Sequence, residues 1–341
     1  MTYEVPLPTE SRPWLVADIG GTNARFGLVT APGAAAERVL VLRAAEHPDL
    51  EAAVEQYLAA VGAGRPGAVC AAVAGPVTGD RFRFTNGTWA LSISDTRRRL
   101  DVDALHLIND FEALALSLPH LGDDDLVVIG DRRPDTSLPM AVLGPGTGLG
   151  VAGLVPVPGG GYVPLPGEGG HMLLRPGHGV DAEAIEVLLG ERGGFGMVTA
   201  EHVLSGPGLT RLYRHVAKSH DATPEALSPA DISGRALAGS DPLCTETIEL
   251  FCRLLGTFAG SVALTLGARG GVFLAGGVLP RIAELLLDSE FRAGFETNPT
   301  MAAYLHRIST VLVTAPYPAL VGAAAWLETH SGAQAREAVG V

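Results

Sequence analysis

The chain has 341 residues, of which 47% are hydrophobic and 18% charged, so it can bury a sizeable core, and its length favours two domains over one. The net charge of −13 argues against nucleic acid and anionic membranes as partners, because both are bound through clustered positive charge. Lys and Arg total 24, and Lys218 is the only lysine. Its context, RHVAKSHDA, matches no phosphate-binding, Schiff-base or kinase lysine, which excludes mechanisms that depend on one.

The cysteines and the amino terminus bear on the cellular compartment. Cys70, Cys244 and Cys252 show no CxxC spacing, so a reducing compartment and buried thiols are expected. The amino terminus, MTYEVPLPTESRP, lacks a basic region followed by an apolar run, and no stretch reaches about 18 uninterrupted apolar residues. The sequence therefore predicts a soluble cytoplasmic protein without a membrane partner.

The predicted elements alternate between strands and helices, which indicates an α/β fold. In chain order the sequence predicts strands over 14–18, 26–29, 39–42, 68–74, 105–108, 271–275 and 309–314, and helices over 49–61, 111–118, 281–287 and 319–327. The strand over 105–108 ends on Asn109-Asp110, just before a helix. Polar side chains in such a place lie where open α/β sheets bind ligands. The last helix is expected to return to the first domain.

A strand-turn-strand pattern occurs twice. Shifting the sequence by 126 positions aligns VADIGGTNARFGLV (16–29) with VLGPGTGLGVAGLV (142–155) and superimposes Gly20 on Gly146. Two equivalent hairpins with glycine turns predict a duplicated α/β unit that faces a shared ligand, although a match this short and glycine-rich also arises by chance. A third glycine turn, Gly276-Gly277, follows the strand over 271–275.

Glycine turns of this kind bind anions, because no Cβ blocks the approach, positive φ angles are permitted and successive backbone N–H groups can point at a phosphate. Gly20-Gly21-Thr22 and Gly146-Thr147-Gly148 both qualify. Neither has the GxxxxGK[ST] pattern, so a metal ion would have to supply positive charge. A dinucleotide fold is an alternative for GPGTGLG, but an apolar run rather than a helical pattern follows it. A hairpin turn without a ligand is the other interpretation of each single turn.

Two aspartates end predicted strands. Asp18 precedes the first glycine turn, where a carboxylate can hold Mg²⁺ directly or through water, and a cap or Asx turn is the alternative. Asp110 precedes a helix, where a helix N-cap and a general base are both expected roles. These two roles do not exclude each other.

The segment LPGEGGH at 165–171 places Glu168 and His171 three residues apart among glycines. Carboxylates and imidazoles recognise neighbouring sugar hydroxyls by paired hydrogen bonds, so this open loop is a candidate sugar site. A metal site is the weaker alternative, because no third ligand lies nearby in the sequence. Glu201, in VTAEHVLSGPGL, has no local feature that distinguishes it from a solvated glutamate on a helix.

Six motifs, in chain order, carry a resemblance to a known family. They are DIGGTNARFGL at 18–28, INDFEA at 108–113, GPGTGLGVA at 144–152, LPGEGGH at 165–171, VTAEHVLSGPGL at 198–209 and GGVFLAGGVLPR at 270–281. The chain resembles the bacterial glucokinases, which belong to the superfamily of sugar kinases, heat-shock ATPases and actin. The segment HMLLRPGHG at 171–179 departs from the family pattern, which affects the surface loop there rather than the sugar contacts.

The resemblance implies an ATP-dependent transfer of a phosphoryl group, with Mg²⁺, to the 6-hydroxyl of glucose, between two actin-like ATPase (ribonuclease H-like) α/β domains that close on the sugar in a cleft. Asp110 is then the general base, and Asp18 is the predicted magnesium ligand. The implied sugar-binding residues are Asn109, Glu168, His171, Glu201 and Asn86. The implied cofactor-binding residues are Ala17, Asp18, Ile19, Gly20, Gly21, Thr22, Asn23, Gly144, Gly146, Thr147, Gly148, Gly276 and Gly277. A homodimer is the implied assembly.

The expected organisation is a flexible extension over 1–13, a small α/β domain over 14–118 that a C-terminal helix within 316–341 completes, and a large α/β domain over 119–315. The alternative functions are a sugar-responsive regulator of the related ROK group and a non-catalytic sugar-binding protein. The short segment before Asp18 and the scattered cysteines disfavour the regulator. The presence of Asp110 beside Asn109 disfavours the non-catalytic protein.

Overall fold

A computed structural model describes residues 4–84, 89–174, 180–191 and 197–331 of the chain. Its internal contacts divide the chain into a first unit, 1–121 together with 315–341, and a second unit, 122–314. The strands are β1 (Trp14–Ile19), β2 (Asn23–Val29), β3 (Glu37–Arg43), β4 (Ala68–Val73), β5 (Arg81–Arg83), β6 (Ala90–Ser92), β7 (Ala104–Asn109), β8 (Leu126–Ile129), β9 (Met140–Pro145), β10 (Leu149–Pro156), β11 (Tyr162–Gly167), β12 (Gly271–Leu274) and β13 (Thr310–Val313). The helices are α1 (Leu50–Val61), α2 (Ile93–Leu100), α3 (Asp110–Ser117), α4 (Val180–Glu191), α5 (Ala200–Val203), α6 (Gly206–Ser219), α7 (Pro229–Leu237), α8 (Pro242–Leu266), α9 (Ala283–Asp288), α10 (Phe291–Phe295), α11 (Ala302–Leu305) and α12 (Pro318–His330).

The main sheet of the first unit has five strands in the order β3-β2-β1-β4-β7. β1, β4 and β7 are parallel, and β2 is antiparallel to both of its neighbours. Alternate residues of β1 face opposite sides: Leu15 and Ala17 lie in a core cluster with α1, whereas Trp14 and Val16 lie in a cluster with α12. Helices therefore cover both faces, which explains why every residue of β4 is buried.

Val5 and Pro6, which precede β1, pack within the first unit. Val5 is buried and pairs with Ser331, which follows α12, and the indole N–H of Trp14 donates to the carbonyl of Pro6 at 2.7 Å. The segment expected to be a flexible extension is therefore packed at these points, because burying the apolar Val5 side chain is favourable. The last helix, α12, belongs to the first unit and packs on β1 and α3.

The sheet of the second unit has the order β11-β10-β9-β12-β13-β8. β9, β12 and β13 are parallel, and β10 is antiparallel to both of its neighbours. The first five strands thus repeat the order and directions of the first unit, and β8 is added antiparallel to β13. Shifted by 126 positions, the bounds of β1 coincide with those of β9, and β2 starts where β10 starts. The duplicated hairpin predicted from the sequence is present.

The long helix α8 forms part of the core of the second unit. By length and composition alone its 25 residues could cross a membrane, but 72% of its apolar window is buried within the protein, as is common for a core helix. Cys244 and Cys252 lie on α8 and Cys70 lies on β4, and all three thiols are free and buried, as expected. Burial raises the pKa of the Cys252 thiol to about 12, which disfavours reactivity.

Candidate active site

The carboxyl ends of β1, β4 and β7 lie side by side in the first unit. The parallel register aligns Ile19 with Val73, and Val73 with Asn109. The first glycine turn follows β1, and Asp110 follows β7. The predicted phosphate turn and the predicted general base therefore belong to one edge of one sheet, the edge at which open α/β sheets bind ligands.

Asn109, rather than Asp110, is the N-cap of α3. Its Oδ1 accepts hydrogen bonds from the backbone N–H groups of Phe111 at 2.9 Å and Glu112 at 3.2 Å, and its Nδ2 donates to the carbonyl of Gly75 at 3.3 Å. Asp110 is the half-buried first residue of α3, and its Oδ1 also accepts the N–H of Phe111, at 3.0 Å. The Asn109 cap therefore fixes the backbone next to Asp110. Asp110 itself lies at a helix N-terminus, where the helix dipole favours a negative charge.

Only the tip of the predicted first phosphate turn is exposed. Ala17 and Ile19 are buried in β1, whereas Gly21 and Thr22 are exposed. The N–H of Gly20 closes the turn by donating to the carbonyl of the first residue of β2, Asn23, at 2.9 Å. Among the predicted cofactor-binding residues of this segment, those at the tip are the ones that a phosphate can approach.

Asp18 is paired with Arg25 on the neighbouring strand. The register of β1 and β2 places the two residues opposite each other, and Nη1 of Arg25 donates to Oδ2 of Asp18 at 2.8 Å. Burial raises the pKa of Asp18, and the guanidinium opposes this rise. Within the described residues, no group of three or more His, Cys, Asp or Glu side chains is arranged to hold a metal ion. Asp18 can thus offer one carboxylate to Mg²⁺, which in kinase sites commonly takes its other ligands from phosphates and water.

The second and third glycine turns meet in the second unit, at the carboxyl ends of the parallel neighbours β9 and β12. The N–H of Ala275 donates to the carbonyl of Leu143 at 2.9 Å. A Cβ on Gly144 would overlap the carbonyl of Ala275, and a Cβ on Gly276, whose φ is +86°, would lie 2.6 Å from the carbonyl oxygen of Pro145. This close approach brings the predicted nucleotide-binding residues of the second unit into one cluster: Gly144, Gly146, Thr147, Gly148, Gly276 and Gly277.

Glu201, on α5, contacts the second glycine turn. Its Oε2 accepts the N–H of Leu149 at 3.0 Å, and a Cβ on Gly148 would overlap its carboxylate. Gly146 and Gly148 both lie among the described residues, and neither has a positive φ angle. A Cβ at position 148 would therefore displace the Glu201 carboxylate from its place beside the turn. Left-handed backbone, the expected reason for glycine in this turn, does not occur at Gly146 or Gly148.

A short 3-10 turn after β11 carries Glu168 and His171, the acid and the imidazole of the LPGEGGH segment. The side chains of Glu168 and His171 are 58% and 62% exposed, and Oε2 and Nε2 are 4.0 Å apart, longer than a hydrogen bond. Gly170 packs so closely on the carbonyl of Leu149 that a Cβ would overlap it. Both side chains are therefore accessible to a ligand, on a turn that packs against the start of β10.

The candidate residues thus form one group in each unit. Glu168, His171 and Glu201 lie near Leu149 in the second unit, and Asp18, Asn109 and Asp110 belong to the first. Asn86 lies outside the described residues.

Sequence reasoning missed Arg25, Leu149 and Gly206, whose N–H donates to the carbonyl of Gly146 at 2.8 Å. Hairpin symmetry could have found Arg25, because it lies opposite Asp18 across the turn, but Leu149 and Glu201 are 52 residues apart and have no local signal.

Comparison with known proteins finds relatives along almost the whole chain. The family profile described as Glucokinase matches residues 15–330. A glucokinase of Chromobacterium violaceum is 46% identical over 321 residues, which cover 94% of this chain and 91% of that protein. A glucokinase of Saccharophagus degradans is 43% identical over 319 residues, which cover 93% of this chain and 98% of that protein.

Solved structures share the fold. A glucokinase from an Antarctic psychrotroph has a TM-score of 0.84 and 38% identity, and the match covers 93% of this chain and 99% of that one. A glucokinase from Balamuthia mandrillaris in complex with glucose has a TM-score of 0.77 and 23% identity, covering 93% and 94% of the two chains. A ROK family glucokinase from Streptomyces griseus in complex with glucose and AMPPNP has a TM-score of 0.57 and 19% identity, covering 92% and 98%. At these identities the last two support the fold alone.

Proposed function

Because the chain belongs to the glucokinase family and is an ATP-dependent kinase of the hexokinase type, we propose that it transfers the γ-phosphoryl group of ATP to the 6-hydroxyl of D-glucose with Asp110 as the general base. The products are glucose 6-phosphate and ADP. The observation that carries the role of Asp110 is its position: it follows β7 directly, behind a fixed Asn109 cap, on the sheet edge that also carries the first glycine turn.

In this proposal the carboxylate of Asp110 accepts the proton of the 6-hydroxyl as the hydroxyl oxygen attacks the γ-phosphorus. Phosphoryl transfer asks for positioning and charge stabilisation more than for covalent work, so one oriented carboxylate and backbone N–H groups are sufficient protein contributions. Mg²⁺ supplies neutralisation of the phosphate charge when it is bound, and Asp18 is the residue that would hold it. The Arg25 guanidinium keeps Asp18 oriented at the end of β1.

The proposed sugar-binding residues are Asn109, Glu168, His171, Glu201 and Asn86. Glu168 and His171 support this role because both are exposed and offer donors and acceptors for neighbouring hydroxyls. Asn109 retains one further N–H on Nδ2 for a hydroxyl, since the other bonds the carbonyl of Gly75. Asn86 rests on the family resemblance alone.

The proposed nucleotide-binding residues lie in the three glycine turns, one in the first unit and two in the second. The exposed tips at Thr22 and Thr147 support contact with phosphates, and Gly276-Gly277 is assigned to the adenosine side by the resemblance. ATP as the donor follows from the glucokinase family to which the chain belongs.

We further propose that both units are actin-like ATPase domains and that the protein acts as a cytoplasmic homodimer. The repeated strand order supports the first statement. The burial of α8 supports a core role for the one apolar helix of spanning length among the described residues. The cleft between domains and the dimer stay predictions of the family resemblance.

The experiment compares wild-type protein with Asp110→Asn in a coupled assay of glucose phosphorylation, with ATP and then polyphosphate as the donor and a panel of hexoses as acceptors. Asp110→Asn is expected to lower kcat by about 10²–10⁴-fold, because the amide cannot accept the hydroxyl proton. Glucose binding, measured by calorimetry, and the melting temperature are expected to stay close to those of the wild type.

Asp124→Asn is the matched control, since Asp124 is an exposed aspartate outside the site. It is expected to retain wild-type turnover. Near-normal glucose phosphorylation by Asp110→Asn would contradict the assignment of the general base.

A further inference from the structure

The second glycine turn is held from two sides by one segment of the chain, which runs from α5 to the start of α6. The N–H of Leu149, just after the turn, donates to Oε2 of Glu201 at 3.0 Å. The N–H of Gly206 donates to the carbonyl of Gly146, at the beginning of the turn, at 2.8 Å. Both ends of the turn are therefore fixed by the α5–α6 segment.

The turn and Glu201 are in direct contact. A Cβ on Gly148 would overlap the carboxylate of Glu201, whose atoms are the nearest neighbours of that position. Within the turn, the N–H of Gly146 donates to the carbonyl of Gly148 at 2.8 Å. Since the amides of Gly146 and Leu149 are engaged in this way, the amides of Thr147 and Gly148 are the ones that a phosphate would meet.

The α5–α6 segment also contacts the turn that carries Glu168 and His171. The N–H of Ala200, which precedes Glu201, donates to the carbonyl of Met172 at 2.8 Å, directly after His171. Gly170 of that turn packs on the carbonyl of Leu149. Glu201 therefore lies at the junction of the sugar-binding and the nucleotide-binding turns of the second unit.

We propose that Glu201 is a positioning residue that couples sugar binding to nucleotide binding: one carboxylate oxygen holds the N–H of Leu149 while the other accepts a sugar hydroxyl. The inference rests on the proposed function and adds a second role for this carboxylate. A hydroxyl bonded to Glu201 restrains the carboxylate against the turn, so the turn loses less conformational entropy when a phosphate binds. Because coupling between two sites is reciprocal, the nucleotide strengthens sugar binding by the same factor.

The test measures the affinity for ADP, with Mg²⁺ present, by calorimetry on the full chain, without glucose and with glucose well above its dissociation constant for each variant. In the wild type, glucose is expected to tighten ADP binding by at least about fivefold. Glu201→Ala is expected to weaken ADP binding about tenfold without glucose, because the N–H of Leu149 loses a charged partner, and to bring the glucose-dependent factor close to one. Glu201→Gln keeps an acceptor for this N–H and is expected to retain most of the ADP affinity.

Glu168→Gln is the matched control, because Glu168 is assigned to the same sugar but is exposed on a separate turn. It is expected to weaken glucose binding and to leave ADP binding without glucose unchanged. A merely structural role of Glu201 would lower ADP affinity while leaving the glucose-dependent factor at its wild-type value, and that result overturns the inference.

Wild-type ADP affinity and an unchanged glucose-dependent factor in Glu201→Ala also overturn the inference, and they leave the proposed function in place if the wild type phosphorylates glucose. If the wild type does not phosphorylate glucose, the proposed function and the inference fail together. Melting curves identify a variant that does not fold. If Glu201→Ala does not fold, Glu201→Gln decides: its NH2 group cannot accept a sugar hydroxyl, so its glucose-dependent factor is expected to fall, and a wild-type factor contradicts the coupling.

Discussion

At the scale of single residues, His106 is an imidazole of the first unit that the proposed reaction does not use. It lies on β7 and packs against Trp326 of α12 with ring centroids 4.3 Å apart, and Trp326 in turn stacks on His330. The Nε2 atom of His106 is buried and has no hydrogen-bond partner among the described residues. Burial, with a smaller contribution from His330, lowers the pKa of His106 to about 4 from its ordinary value of 6.5.

This low pKa makes the stability of the protein depend on pH. The unfolded chain binds a proton at His106 near pH 6.5, whereas the folded protein binds it only near pH 4. The contribution of the neutral imidazole is therefore complete above pH 6.5 and is lost as the pH falls towards 4, by roughly 2 kcal/mol after allowance for partial exposure. His106→Phe retains an aromatic ring against Trp326 and removes the titration. Urea unfolding at pH 7 and near pH 5 is expected to show a smaller loss of stability in the variant than in the wild type.

The comparison between variant and wild type cancels the titration of other groups, such as Glu112, whose pKa burial raises. His120→Phe serves as the control, because His120 is exposed, and it should keep the wild-type dependence on pH. An equal loss of stability in His106→Phe and the wild type would show that His106 does not carry this dependence.

At the scale of elements, the contact between α8 and α10 depends on small residues. A Cβ on Gly256 of α8 would overlap the carbonyl of Phe291, and one on Gly260, a turn further along, would overlap that of Phe295. From the other side, Gly294 of α10 approaches the carbonyl of Arg253. The two helices therefore pack backbone to backbone, although glycine inside a helix is itself unfavourable.

Gly256→Ala is expected to destabilise the protein by about 1–3 kcal/mol, because the added methyl group forces the two helices apart and this outweighs the better helix propensity of alanine. Gly234→Ala on α7 is the matched control: a Cβ there would meet nothing within 4 Å, so it is expected to stabilise by about 0.5–1 kcal/mol. Urea unfolding midpoints of the two variants measure this difference. Equal midpoints would contradict the close packing of α8 and α10.

The elements with strong local signals could be predicted from the sequence. The hairpins β1–β2 and β9–β10 carry apolar strands and glycine turns, and the last helix, α12, carries an apolar run. β11 was not predicted, since Pro164 and Pro166 argue against a strand; they are tolerated because β11 is an edge strand. β5 and β6 have three residues each, too few to show a period.

The sequence predicts those parts of the candidate site that depend on residues close together in the chain. Asn109-Asp110 lies at the end of a strand and the start of a helix, as expected, but the local sequence could not decide which residue caps the helix, because both side chains are suitable acceptors. The contact of Glu201 with Leu149 depends on the tertiary structure, which brings α5 beside the second glycine turn. No pattern within either segment contains this information, and the family resemblance alone directed attention to Glu201.

At the scale of the whole molecule, two units with the same strand order hold their glycine turns differently. The first turn is closed by its own hairpin, through the N–H of Gly20, and carries the Asp18–Arg25 pair. The second turn is held by a segment more than 50 residues away, through Glu201. The duplication therefore supplies the scaffold, and the insertions between strands supply the different chemistry of each unit.

Neither glycine turn contains a lysine, so the proposed phosphate binding does not depend on this residue, and a chain with a single lysine can carry it out. Lys218 lies exposed in the last turn of α6, where basic residues suit the helix dipole. Lys218→Arg creates a lysine-free protein with unchanged charge and is expected to retain kcat and KM for glucose and ATP within about twofold, since exposed substitutions away from a site have small effects. The coupled assay measures both constants, and treatment with an amine-reactive reagent is expected to leave the variant active. A loss of activity of about tenfold or more without a change in melting temperature would show that phosphate binding here depends on a lysine after all, and that the glycine turns and Mg²⁺ do not suffice.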